Sequence, residues 1–178
     1  MRCFVAINLP DEVKNYLEDI ILKIEKENSH LRAKWSSSEN LHLTLGFIEE
    51  IDDQTLGKLA TDLETLAIPN NFILSLGQLG VFPNNYNPRI IKLDLNNPQG
   101  ELRPLYSAIK EIFEKNNIPA DNRPFFPHIT LARLKSRGAR VRLSRNIDHL
   151  SFVVNSVELI KSELTPAGPI YTILQSYK

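Results

Sequence analysis

A four-residue pattern occurs twice in this chain, as His42-Leu43-Thr44-Leu45 and as His128-Ile129-Thr130-Leu131. Successive side chains of a β-strand point to opposite faces, so each copy puts its histidine and threonine on one face and its two aliphatic residues on the other. One face of each strand belongs to a core; the other presents an imidazole and a hydroxyl. The two histidines stand 86 positions apart in a chain of 178 residues. That is close to half the length, the spacing expected of two similar halves that each give one strand to a shared cleft.

The order of predicted elements supports the division. Residues 2–7 read as a strand, and Asp11 opens a helix with Val13, Leu17, Ile20, Ile21 and Ile24 on one face. A short strand at 32–35 and a polar turn at 36–40 lead into the first motif strand at 41–48. Asp52 or Asp53 caps a second helix bearing Leu56, Leu59, Leu63 and Leu66, which ends before Pro69 and Asn70. A strand follows over 72–82, interrupted by Gly77 and Gly80. The second half repeats this order with a strand at 89–95, a helix at 99–115 and the second motif strand at 126–133. From Arg2 to His42 is 40 positions and from Arg89 to His128 is 39, as an ancient duplication would leave them. Strands at 151–164 and 170–176, joined by a tight turn at Pro166-Ala167-Gly168-Pro169, complete the chain. The expected fold is α+β and bilobal with a pseudo-two-fold: two mainly antiparallel sheets line a central cleft, with helices outside. Residues 1–178 are expected to form a single domain of two similar lobes, free to exchange strands.

With 42% hydrophobic residues, a chain of this length buries roughly two-thirds of its unfolded surface. Cys3 is the single cysteine, which excludes a disulfide framework and a cysteine zinc site and makes a reducing compartment the default. The apolar start at 3–7 breaks at Asn8, Pro10 and Asp11, too soon for a signal peptide, and no later stretch approaches a membrane span. A soluble, cytoplasmic protein is expected. Net charge is zero, with 21 basic and 21 acidic residues. Yet from Asn122 to Ile147 there is no Asp or Glu, while Arg123, Arg133, Lys135, Arg137, Arg140, Arg142 and Arg145 all fall there. Such a run beside the second motif suits phosphate binding; the plainer reading is a solvated loop with Gly138 at its tip.

Two imidazoles suit in-line displacement at phosphorus. One deprotonates the attacking water or hydroxyl and the other protonates the departing oxygen, with no metal required. Thr44 and Thr130 can donate hydrogen bonds to the non-bridging oxygens, where charge builds in the transition state. Arg133 can neutralise the same oxygens and Phe47 can stack a base, but each lies five positions after its histidine, on the wrong face under strict alternation. Both contacts require the strand to end or bulge near Ala132 and its counterpart. A metal site is not expected, because the remaining histidines, His30 and His149, lack ligand spacing. No glycine-rich phosphate loop and no serine or cysteine nucleophile context is present in the sequence.

In its two His-x-Thr motifs and their flanks the chain resembles the two-histidine (2H) phosphoesterases, and within them the LigT-like RNA 2',3'-cyclic phosphodiesterases, also called 2'-5' RNA ligases. The resemblance covers MRCFVAINLP, WSSSENLHLTLGF, the VFPN and NPR segments, PFFPHITLAR and VELIKSELTPAGPIY. It implies metal-independent hydrolysis of a 2',3'-cyclic phosphate at an RNA 3' end to a 2'-phosphate, with no cofactor. His42 is then the acid at the 3' oxygen and His128 the base. Thr44, Thr130 and Arg133 match phosphate-contacting positions, and Phe47 matches a base-stacking one. The alternatives are 2'-5' RNA ligation as the reverse reaction, and a non-catalytic module that binds RNA ends or nucleotides. Implied partners are RNA 3' ends such as tRNA fragments, or small cyclic nucleotides, met by a monomer. The chain departs from the pattern at Ile91-Lys92-Leu93, where many relatives carry an aromatic, and at Ile48-Glu49-Glu50, where leucine-glycine-glutamate is usual.

Overall fold

The computed structural model describes residues 1–69, 71–135, 138–143, 146–166 and 168–178. Arg137 and Arg145 of the basic run, Asn70 after the second helix and Ala167 of the C-terminal turn lie outside the described residues. The elements are β1 (Cys3–Asn8), α1 (Asp11–Glu27), β2 (Ala33–Trp35), β3 (His42–Ile48), α2 (Asp53–Leu63), β4 (Phe72–Phe82), β5 (Ile90–Asn96), α3 (Leu102–Lys115), β6 (His128–Leu134), β7 (Ser151–Val154), β8 (Val157–Leu164) and β9 (Pro169–Tyr177). The fold is α+β, and every strand pairing among the described residues is antiparallel.

The two expected sheets are halves of one continuous sheet in the order β7-β4-β5-β6-β3-β1-β8-β9, with β2 beside β6. A single residue pair, Leu43↔Ile129, joins β3 to β6 and so joins the halves. Strands do not sort by position in the chain. β4 pairs with β5 and β7 in the second half, β2 pairs with β6, and β8 with β9 returns to the first half beside β1. The expected strand at 151–164 is therefore two strands. The chain leaves β7 at Asn155-Ser156 and crosses from one half of the sheet to the other before β8.

Local chemistry accounts for the helix ends. The Asp52 carboxylate accepts from Thr55 N at 2.8 Å and from Thr55 Oγ1 at 2.8 Å, capping α2. α3 starts later than the expected residue 99, because the Asn97 side-chain carbonyl accepts from Leu102 N at 2.8 Å and Gly100 takes a left-handed φ of 87° in the turn between them. Val13, Leu17, Ile20, Ile21 and Ile24 of α1, Leu59 and Leu63 of α2, and Leu102, Leu105, Ile109 and Phe113 of α3 are buried against the inward residues of the sheet. Those residues include Val5, Ile7, Leu43, Leu45, Ile91, Leu93, Ile129 and Leu131, so the aliphatic positions of both motifs build the helical side of the core. The opposite face carries a small separate apolar cluster of Phe4, Ala6 and Ile160, with Tyr171 against it.

Helix α3 is seated close to β3 at Gly46, where an added Cβ would lie 2.7 Å from the Phe113 ring. Gly57, inside α2, has nothing within 4 Å of such a Cβ. Gly46→Ala is expected to destabilise the protein by about 1–3 kcal/mol through overpacking. Gly57→Ala is expected to stabilise it by about 0.5–1 kcal/mol through helix propensity. Urea denaturation of the two variants checks both signs.

Candidate active site

The two motif strands keep matching neighbours. Asn8 stands opposite His42 and Ala6 opposite Thr44; Asp94 stands opposite His128 and Lys92 opposite Thr130. After each threonine the register slips by one residue, so that Val5 pairs with Gly46 and Ile91 pairs with Ala132. Leu45 and Leu131 are thus extra residues in equivalent β-bulges. Each bulge reverses the alternation beyond it. Phe47, 44% exposed, therefore returns to the face of His42 and Thr44, and exposed Arg133 to the face of His128 and Thr130, while Ile48 and Leu134 are buried. The mismatch left by strict alternation is removed twice, in the same way.

Leu43 and Ile129 face the core, so His42, Thr44, His128 and Thr130 lie on the other side of the seam. Continuing the antiparallel register by one residue sets His42 beside Thr130 and Thr44 beside His128. The histidines are then diagonal neighbours on one face, about 7–8 Å apart by sheet geometry. That separation is of the order that a tetrahedral anion touching both side chains needs.

Both rings are oriented by the backbone. His42 Nδ1 lies 2.8 Å from the Asn40 carbonyl oxygen and His128 Nδ1 lies 2.7 Å from that of Phe126. A carbonyl only accepts, so each Nδ1 carries the proton and donates it. The nitrogen left for chemistry is Nε2 in both, and His42 Nε2 is 3.0 Å from Thr44 Oγ1, close enough to accept its hydroxyl proton. The His42 ring is further fixed by stacking on Phe4 at 4.6 Å between centroids and by the edge contact of Tyr171 at 5.4 Å. Burial pushes the His42 pKa down to about 4; its bond to the Asn40 carbonyl opposes this, and the positive charges of Arg133 and Lys14 lower it further. Arg133, although carried by the second motif strand, thus bears on the first histidine. The Arg2 guanidinium lies over the Phe47 ring at 4.6 Å, a cation–π contact that supports the ring from one side.

Phe4, Tyr171, Arg2 and Lys14 were not singled out by the sequence. Period-two alternation along β1 puts Arg2, Phe4, Ala6 and Asn8 on one face, so Phe4 and Arg2 become readable once β1 is set beside β3. Tyr171 arrives from β9, far along the chain, with no local signal. Among the described residues, no three or more His, Cys, Asp or Glu side chains gather into a set that could hold a metal ion. No helix among them is long and apolar enough to cross a membrane.

Past the Arg133 end of β6 lies a groove of about 760 Å³ lined by His30, Asn85, Arg140 and Arg142, with Val81 and Pro88 among its apolar walls. Arg140 and Arg142 of the basic run are held here by their backbone. Asn28, buried at the end of α1, donates to the Arg142 carbonyl at 2.9 Å and accepts from Arg142 N at 2.8 Å, while a His30 ring nitrogen meets the Arg140 carbonyl at 3.2 Å.

Two imidazoles with Nδ1 held by the backbone, two hydroxyls and an arginine on one sheet face suit chemistry at a phosphate ester. The chain belongs to the LigT-like phosphoesterase family, whose model matches it twice, over residues 7–91 and 93–171, each match holding one His-x-Thr motif. The RNA 2',3'-cyclic phosphodiesterase of Thermotoga maritima is 32% identical to it over 179 residues, covering 98% of this chain and 93% of its own. Among solved structures, that of the Thermus thermophilus protein TT0787 superposes with a TM-score of 0.83 at 33% identity, covering 99% of this chain and 97% of that one. E. coli LigT complexed with 3'-AMP superposes with a TM-score of 0.79 at 26% identity, covering 99% and 96%.

The lowered His42 pKa has a definite sign. Between pH 6.5 and about 4 the unfolded chain binds this proton before the folded one, so the contribution of neutral His42 to stability, complete above pH 6.5, is lost as pH falls through that window. Histidine NMR is expected to show a His42 midpoint near 4 in the free protein. Saturating inorganic phosphate is expected to move it upward, because an anion favours the imidazolium. A midpoint near 6.5 in the free protein would contradict the burial of this ring.

Proposed function

We propose that this protein hydrolyses 2',3'-cyclic phosphates at RNA 3' ends to 2'-phosphates by acid–base catalysis between His42 and His128, without a metal. Water attacks phosphorus and gives a proton to His128 Nε2. The P–O3' bond breaks, and His42 Nε2 delivers its proton to the leaving 3' oxygen, producing a 2'-phosphomonoester and a 3'-hydroxyl. Thr44, Thr130 and Arg133 hold the non-bridging oxygens. An anion seated against His42 opposes the lowering by burial and the repulsion from Arg133 and Lys14, and so favours the imidazolium that must act as acid. Phe47, backed by Arg2, receives the terminal base.

The observation that carries this reading is the duplicated clamp: two histidines on one open face, each donating Nδ1–H to the carbonyl two residues earlier. The names of the relatives support the substrate class. Ligation of a cyclic phosphate end to a 5'-hydroxyl uses the same groups but needs a second polynucleotide site, whereas hydrolysis needs only water. The groove lined by Arg140 and Arg142 carries a charge that suits phosphates, and we assign it as the track for nucleotides upstream of the cyclic end. These steps require no partner subunit, and a cytoplasmic monomer acting on RNA fragments is the setting we infer.

Incubation with an RNA ending in a 2',3'-cyclic phosphate, in EDTA, is expected to yield the 2'-phosphate isomer alone. His42→Ala and His128→Ala are each expected to lower kcat by at least about 10²-fold while nucleotide still binds. A histidine variant with near-normal turnover would remove that residue from the mechanism. Replacing Arg140 and Arg142 together by Gln is expected to leave kcat on a cyclic mononucleotide unchanged, to weaken binding of an oligonucleotide and to flatten its salt dependence. Equal affinity and salt slope in this double variant would rule the groove out as an RNA track.

A further inference from the structure

The halves of the sheet match in backbone but not in the residues beside their histidines. In the first half the strand neighbours on the cleft face are Phe4, Ala6 and Asn8; in the second they are Ile90, Lys92 and Asp94. Lys92 is the outlier. It stands directly opposite Thr130 on the adjacent strand, where side chains share a face with Cβ atoms about 5 Å apart. Its ammonium is turned along β5 toward Asp94, which accepts a hydrogen bond from it and itself stands opposite His128. On its other side is Gly80 of β4, whose missing Cβ would lie 3.8 Å from Lys92 Nζ, so no side chain from that position covers the ammonium.

The Lys92 side chain is 15% exposed and that of Asp94 is 42% exposed. The Lys92 stem is covered by its neighbours while its ammonium meets one partly solvated carboxylate, a pair that contributes little stability. Asp94 Oδ1 occupies one of three ammonium donors. The other two are left for an anion in the cleft, into whose face the register with Thr130 sets this side chain.

We propose that Lys92 is a phosphate-binding residue of this cleft, its ammonium held toward the second motif by Asp94. This rests on the reading of the cleft as a phosphodiesterase site and adds to it a cation contributed by β5 that the first half, with Ala6 at the matching position, does not have. The two ends of the cleft are thereby distinguished: the rings of Phe4 and Tyr171 against His42, and a charged pair beside Thr130 and His128.

The test is calorimetric binding of 2'-AMP and of adenosine to the wild type, Lys92→Met and Lys92→Gln. Loss of a charged hydrogen bond to phosphate is expected to weaken 2'-AMP binding by about tenfold or more in both variants, with adenosine affinity unchanged. The Gln variant keeps a donor for Asp94 and so decides the matter if the Met variant fails to fold. Wild-type affinity for 2'-AMP in a folded variant would overturn the inference, as would equal weakening for adenosine. Because binding is read without turnover, a wild-type protein that leaves cyclic phosphates intact yet shows the Lys92 effect would sink the hydrolytic reading and uphold this one.

Discussion

Where β3 and β6 meet, the ladder between the halves of the sheet is a single residue pair, Leu43↔Ile129. Everything on the open face depends on that register. Because those two side chains enter the core, the residues on either side of each must turn outward, and the antiparallel direction puts each histidine next to the other motif's threonine. A shift of one residue at the seam would exchange the faces and bury the imidazoles. The aliphatic residues of the motifs and the helices covering them therefore hold the site as firmly as any contact within it. Gly46, pressed against Phe113, fixes the same strand from the helical side.

The second constraint is the pair of bulges at Leu45 and Leu131. A regular strand could display His and Thr but would send the next side chain of interest into the core. One additional residue per strand re-aims Phe47 and Arg133 onto the open face while returning Ile48 and Leu134 to the interior. The two halves thus share a backbone device, whereas the side chains on it differ. One half surrounds its histidine with Phe4 and Tyr171 and lowers its proton affinity. The other places Lys92 and Asp94 alongside.

Much of this was legible in the sequence. The motif doubling, the near-equal spacing within the halves and the helical periodicity of Val13 through Ile24 are local signals, and the elements they predict are present. The Asp52 cap was readable for the same reason. For Phe47 and Arg133 the sequence stated a condition, a strand that ends or bulges near Ala132; the bulges that meet it arise from register between strands distant in the chain, so their exact places could not be read locally. Long-range pairing also hid the return of β8 and β9 to the first half, the division of the expected 151–164 strand, and the arrival of Tyr171 at His42. The hold on the Arg142 backbone comes from Asn28, over a hundred residues away, and no periodicity reports such a contact.

The most direct test of the account is a crystal structure with 2'-AMP bound. It should place one phosphorus atom between His42 Nε2 and His128 Nε2, with both threonine hydroxyls on its oxygens and the adenine against Phe47. A phosphate contacted by one motif alone, with the second imidazole turned away, would contradict it.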